Sequence, residues 1–255
     1  MSLWLIILIL IIAGIIAGLL STIAGLASLV SYPTLLALGL PAVSANTTNT
    51  AALIFTGIGS LLSSSKELHG NGRITTRVSL VALCGGIVGA LILAFAPEST
   101  FERVVPFLIF GAGILMLWSQ FRKKPLKRTT SKPHPVKNFL RYLAIFLVGV
   151  YIGYFGASAG MILLAILIFT LQKNFAVTNA IKNFTTFVTN IMSIFIYAFT
   201  TKVYWWMVVP LGLGMFIGGY LGPVVVRHVP VQPIRTLIAF AAFGLAGFLF
   251  WQSYF

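Results

Sequence analysis

Two short stretches decide how this chain folds: STIAGLAS, Ser21–Ser28, and YFGASAG, Tyr154–Gly160. Each interrupts a long apolar run with a cluster of small residues. Broken backbone at bilayer depth is tolerated only where it lines a cavity or is covered by protein. A short apolar segment follows each break, at 29–38 and 161–171. After a polar or proline-containing turn, each half then opens a helix on asparagine-rich sequence, SANTTNTAAL from Ser44 and VTNAIKNFTTF from Val177. Asn46 thereby falls opposite Asn179, and Asn49 opposite Lys182. Two further apolar helices complete each half, near 74–96 and 104–121, then near 204–226 and 233–251. The spacing predicts a duplicated chain.

Composition makes the surrounding solvent lipid. Of 255 residues, 59% are hydrophobic and 8% charged, with a mean hydropathy of +1.03. Several runs reach the ~20 residues that cross a bilayer as helix. The opening run, MSLWLIILILIIAGIIAGLL, lacks a basic leader and a small-residue cleavage site, and reads as a retained first helix. The fold expected is an all-α polytopic membrane protein of two inverted-topology repeats. It has about eight long transmembrane helices and two short broken or re-entrant segments. Cys84 is the single cysteine, so there is no intrachain disulfide framework and no metal-site spacing.

The net charge of +14 would suggest nucleic acid in a soluble protein. Here eight of the 17 lysines and arginines fall in RKKPLKRTTSKPHPVKNFLR, Arg122–Arg141. That pattern reads as a cytoplasmic linker under the positive-inside rule, in contact with anionic lipid headgroups, and not as a nucleic-acid site. Its prolines and lack of apolar periodicity argue against a folded domain. The division expected is a first repeat at 1–121, a linker at 122–138 and a second repeat at 139–255. If the short segments each complete a crossing, Arg103 and Lys202 lie outside and Lys182 within the membrane, leaving 14 basic residues inside. Re-entrant segments give 12 inside and four outside, so charge favours the inverted arrangement. Ten apolar residues nevertheless cover only about half of the ~30 Å core. The short segments therefore need their flanks, or meet other broken segments near the midplane.

Lys182 stands out within NFAVTNAIKNFTTFVTNIMSIFIYAF, Asn174–Phe199. An ammonium at the helix centre costs roughly 2.5–3.5 kcal/mol on insertion scales. It is flanked by Asn179 and Asn183 and has no carboxylate near it in sequence. Two readings are open: a partner for a bound anion, or a lysine that snorkels over the ~12 Å to the helix end. An anion would also draw on the N-terminus of each helix that follows a break, where unpaired N–H groups carry about half a positive charge. The candidate substrate-binding residues are Asn46, Asn49, Asn179, Lys182 and Asn183, with Gly25, Ser28, Gly156, Ser158 and Gly160 from the breaks. The asparagines have a competing reading as helix caps or interhelical bonds. No Ser/His/acid, metal-ligand or phosphate-loop constellation falls in the helices, so neither catalysis nor a cofactor is expected. The three acids, Glu67, Glu98 and Glu102, read as loop residues.

The run AGLASLVSYPTLLALGLPAVSANTTNT, Ala24–Thr50, resembles the first motif of the TauE/SafE sulfite-exporter family: a glycine-rich turn, a short proline-containing helix, Gly-Leu-Pro and a polar helix start. The second run, from YFGASAGMILLA to Asn179–Asn183 (Asn-Ala-x-Lys-Asn), is similar to the family's repeated motif. The first motif keeps only Ala24, Gly25, Ala27 and Ser28 of a fuller glycine cluster. The resemblance implies a multi-pass transporter of sulfite, sulfonates or related sulfur-containing anions in the cell membrane. Export is favoured, because cytoplasm-negative potential drives an anion out by about 2.3 kcal/mol per charge at 100 mV. The alternatives are an anion channel, or a membrane sensor or assembly protein that moves nothing.

Overall fold

A computed structural model describes residues 2–121, 135–171, 173–225, 240, 243–251 and 254. Those residues form helices and connecting turns, with no strand. In chain order the helices are α1 (Leu3–Ala24), α2 (Ser28–Ala37), α3 (Ala42–Ser63), α4 (Ser65–Leu68), α5 (Gly72–Phe95), α6 (Glu98–Phe121), α7 (Pro135–Tyr154), α8 (Ala159–Leu171), α9 (Phe175–Thr200) and α10 (Trp205–Val225). Residues 243–251 are helical too. The two short segments are thus the separate helices α2 and α8. Among the described residues, three helices are both long and apolar enough to cross a bilayer, at 3–24, 72–95 and 205–224.

The polarity of α3 and α9 has a structural cause. Every residue from Ser44 to Ala52 is buried in α3, and every residue from Thr178 to Asn183 in α9. A helix buried on all sides along such a run is enclosed by other helices and never meets lipid there. Its Asn and Thr side chains then bond to protein. α3 and α9 pack on each other at the centre, α3 also against α10, and α9 against α5.

Around that pair, each half's first helix crosses the other half's late helix: α1 packs on α10, and α7 on α5. Both crossings use glycines four apart. Gly14 and Gly18 face the stretch 211–219, while Gly149 and Gly153 face the stretch 82–90. A Cβ on Gly18 would fall 2.9 Å from the Gly219 nitrogen, and one on Gly153 2.8 Å from the Ala90 nitrogen. Lipid tails are as apolar as side chains, so helices associate through such close backbone packing rather than the hydrophobic effect.

Two expectations shift. Glu67, Glu98 and Glu102 were expected in loops, but Glu67 falls in the one-turn α4, and α6 begins at Glu98, directly after Pro97. Asn46 was a candidate helix cap, but α3 begins four residues earlier, with Pro41 at the N-cap position. The true side-chain cap is Asn174, whose carbonyl accepts the Val177 N–H at 2.8 Å at the start of α9. The linker at 122–138 lies outside the described residues up to 134, and its last four residues open α7. Much of the expected last helix, 233–251, also lies outside them.

Candidate functional site

α1 ends because Gly25 takes the left-handed conformation, φ 74° and ψ 36°, and turns the chain away. α7 ends in the same way ahead of Gly156, at φ 73°. Ser158 holds a positive φ of 59°, an uncommon conformation for a residue with a Cβ. The two breaks meet. A Cβ on Gly25 would lie 2.5 Å from the Gly160 Cα, and a Cβ on Gly160 would lie 2.7 Å from the Gly25 Cα. Only glycine at both positions lets the backbones approach so closely.

Ending a helix inside a bundle strands its last carbonyls, which need donors from elsewhere. The donors come from the opposite half. Lys182 Nζ donates to Ser21 O at 2.9 Å and to Thr22 O at 3.3 Å, and Asn179 Nδ2 donates to Thr22 O at 2.8 Å. Across the molecule, Asn46 Nδ2 donates to Tyr154 O at 3.0 Å, and from within the same half the Tyr197 hydroxyl donates to Gly153 O. Lys182 is 1% exposed, so it does not snorkel to a surface. Its charge faces the negative end of the α1 dipole, which offsets part of the cost of burial.

Where the breaks touch, a cavity of about 40 Å³ opens, enough for roughly three waters or one small ion. Six of the sequence candidates line it: Gly25, Ser28, Gly156, Gly160, Lys182 and Asn183. The other four lie outside its lining. Asn46 and Asn179 hold helix ends through their amide nitrogens. Asn49 ties α2 to α3, accepting the Ser31 hydroxyl at 2.5 Å and donating to Ser28 Oγ at 3.0 Å. Ser158 is 1% exposed with an unpartnered hydroxyl.

The sequence reading missed Thr56 and Ser60 on α3 and Thr186 and Asn190 on α9, which line the same cavity. The signal was a polar stripe at helical spacing, 183, 186 and 190 on one helix and 56 and 60 on the other. Two buried atoms of the lining have no hydrogen-bond partner: Asn183 Nδ2 and Thr56 Oγ1. An unmade hydrogen bond on a buried polar group costs about 1–3 kcal/mol. Such groups mark where an absent partner belongs. Asn183 is 5% exposed, and its amide nitrogen can only donate. The partner must therefore accept hydrogen bonds. Among the described residues there is no cluster of three or more His, Cys, Asp or Glu that could hold a metal.

A helical membrane protein with two broken segments meeting over a small, donor-lined cavity has the architecture of a secondary transporter. The chain belongs to the sulfite exporter TauE/SafE family, which matches residues 10–249. It is similar to a probable membrane transporter protein, ORF9, of a Sinorhizobium species: 26% identical over 238 residues, covering 92% of this chain and 88% of that one. It is also similar to a probable membrane transporter protein of Haemophilus influenzae, 23% identical over 231 residues, covering 90% and 89%. No solved structure matches the chain.

Proposed function

We propose that this membrane transporter moves small sulfur-containing oxyanions, sulfite or sulfonates, outward across the cell membrane through the cavity between its two broken segments. The observation that carries the reading is the unpartnered Asn183 Nδ2 donor in a lining that also holds the Lys182 ammonium. Oxygen-rich anions accept hydrogen bonds in several directions, which suits Asn183, Thr56 and the amides at the starts of α2 and α8. The sulfur preference rests on family membership. The two halves act as inverted-topology repeats with the basic linker cytoplasmic. The matched crossings of α1 on α10 and α7 on α5, together with the distribution of basic residues, support that arrangement. No carboxylate or histidine lines the cavity among the described residues. Membrane potential alone is enough to drive export of an anion.

Flux into liposomes carrying the purified protein tests this across sulfite, sulfonates, sulfate and carboxylates. Sulfite or sulfonate flux that is saturable, and lost in Gly160→Leu, is the expected result. Flux restricted to carboxylates would overturn the substrate assignment, and unsaturable flux at channel rates would overturn the transporter assignment.

A further inference from the structure

A second cavity, of about 670 Å³, lies at the other end of α3. Ala42 lines it where α3 begins, whereas the α3 residues lining the first cavity run from Thr50 to Ser60, roughly 12–27 Å further along the helix. Its walls are largely apolar, from α2 and the turn that follows it, α6 and the helical stretch 243–251, with two chemical exceptions, Tyr32 and Glu102. Tyr32 is 1% exposed, and its hydroxyl has no hydrogen-bond partner. The Tyr32 ring stands edge-on against Phe155, with centroids 5.2 Å apart and planes at 88°. Phe155 lines the first cavity. Phe101, next to Glu102, backs Phe155 at 5.7 Å. Two rings in contact therefore span the space between the cavities.

We infer that the second cavity is the outer compartment of one permeation path, divided from the first by the Tyr32–Phe155 pair. The inference rests on the transport reading above. Once the rings part, an oxyanion leaving the first cavity meets the Tyr32 O–H as its next donor. The Glu102 carboxylate in the same wall carries the anion's own sign and shortens its stay. A path conducts only when each stop binds weakly enough to release. Tyr32 is thus a transient contact, and Glu102 biases the occupant towards exit.

Sidedness of thiol labelling tests the partition without a substrate. In a Cys84→Ser background, single cysteines at Ala37 (second cavity) and Thr186 (first cavity) are exposed to a cationic, membrane-impermeant methanethiosulfonate, in intact cells and in inside-out vesicles. Ala37→Cys is expected to react from one face and Thr186→Cys from the other. Adding Phe155→Ala, or Phe155→Leu if the alanine variant does not fold, is expected to make each cysteine react from both faces. Labelling of both cysteines from one face, or unchanged sidedness in a folded Phe155 variant, overturns the inference. Tyr32→Phe keeps the ring and is expected to preserve sidedness while slowing outward flux about 2- to 10-fold, the worth of one hydrogen bond. Unchanged flux removes the hydroxyl from the path. If the wild type moves no anion at all, the transport reading fails, and the labelling pattern still decides whether the rings divide two compartments.

Discussion

Replacing Lys182 by glutamine separates two roles that its position combines. Glutamine is shorter by one bond, roughly 1.5 Å. A donor now 2.9 Å from Ser21 O and 3.3 Å from Thr22 O therefore falls out of reach of both. Neither carbonyl is left bare: Ser21 O keeps the Gly25 N–H at 2.7 Å, and Thr22 O keeps Asn179 Nδ2. The folded state loses charged hydrogen bonds worth roughly 1.5–3 kcal/mol. It is also relieved of a buried charge that costs roughly 2.5–3.5 kcal/mol. These offset each other, so the melting temperature in detergent should move little. Binding has no such compensation. Loss of one charged hydrogen bond to the anion should weaken sulfite affinity about 10- to 150-fold. Calorimetric titration, wild type against Lys182→Gln, reads this directly. Equal affinities combined with a large fall in stability would show that Lys182 serves only to hold the end of α1, and the argument for an electrostatic contact would be refuted.

Asn183→Leu removes an unpartnered buried donor and should raise thermal stability slightly, by relief of part of a cost of about 1–3 kcal/mol, while abolishing saturable flux. A drop in stability with flux intact would assign Asn183 to packing. Gly25→Ala places a Cβ against the Gly160 backbone at a positive φ and should unfold or inactivate the protein, whereas Gly244→Leu, with nothing within 4 Å of its Cβ, should leave flux near wild type. Equal damage from both in a flux assay would remove the special standing of the break. Asn174→Ala deletes the α9 cap and should lower stability by about 0.5–2 kcal/mol in a melting curve, with sulfite affinity unchanged.

The breaks were legible in the sequence because Gly25 and Gly156 interrupt apolar runs at matching places, a local signal. The separation of α2 and α8 as short helices followed from the same signal. The partners of the stranded carbonyls were not legible. Asn179 meets Thr22 across 157 positions, and Asn46 meets Tyr154 across 108. Nothing local distinguishes an amide that holds a helix end from one that holds a ligand, so Asn46, Asn49 and Asn179 carried the same sequence signature as Asn183. Thr56 and Ser60 were passed over because small hydroxyl residues late in an apolar helix look like packing. Glu98 was read as a loop residue because it falls between the apolar runs near 74–96 and 104–121. A proline followed by an acidic residue is also a helix-start signal, and the structure follows it.

The crossing of α1 on α10 has a consequence for how the protein is made. The glycine face of α1 leaves the ribosome ahead of its partner surface around Gly214, which follows about 200 residues later. At roughly 5–20 residues per second, α1 spends on the order of 10–40 s in the bilayer before α10 has even been synthesised. Throughout that wait its small-residue face is open to any neighbouring helix of similar shape. The α5–α7 crossing closes much sooner, because its partners are near in sequence. The α5–α7 pair is therefore in place while α1 is still waiting for α10, so α1 enters the bilayer long before it finds its place.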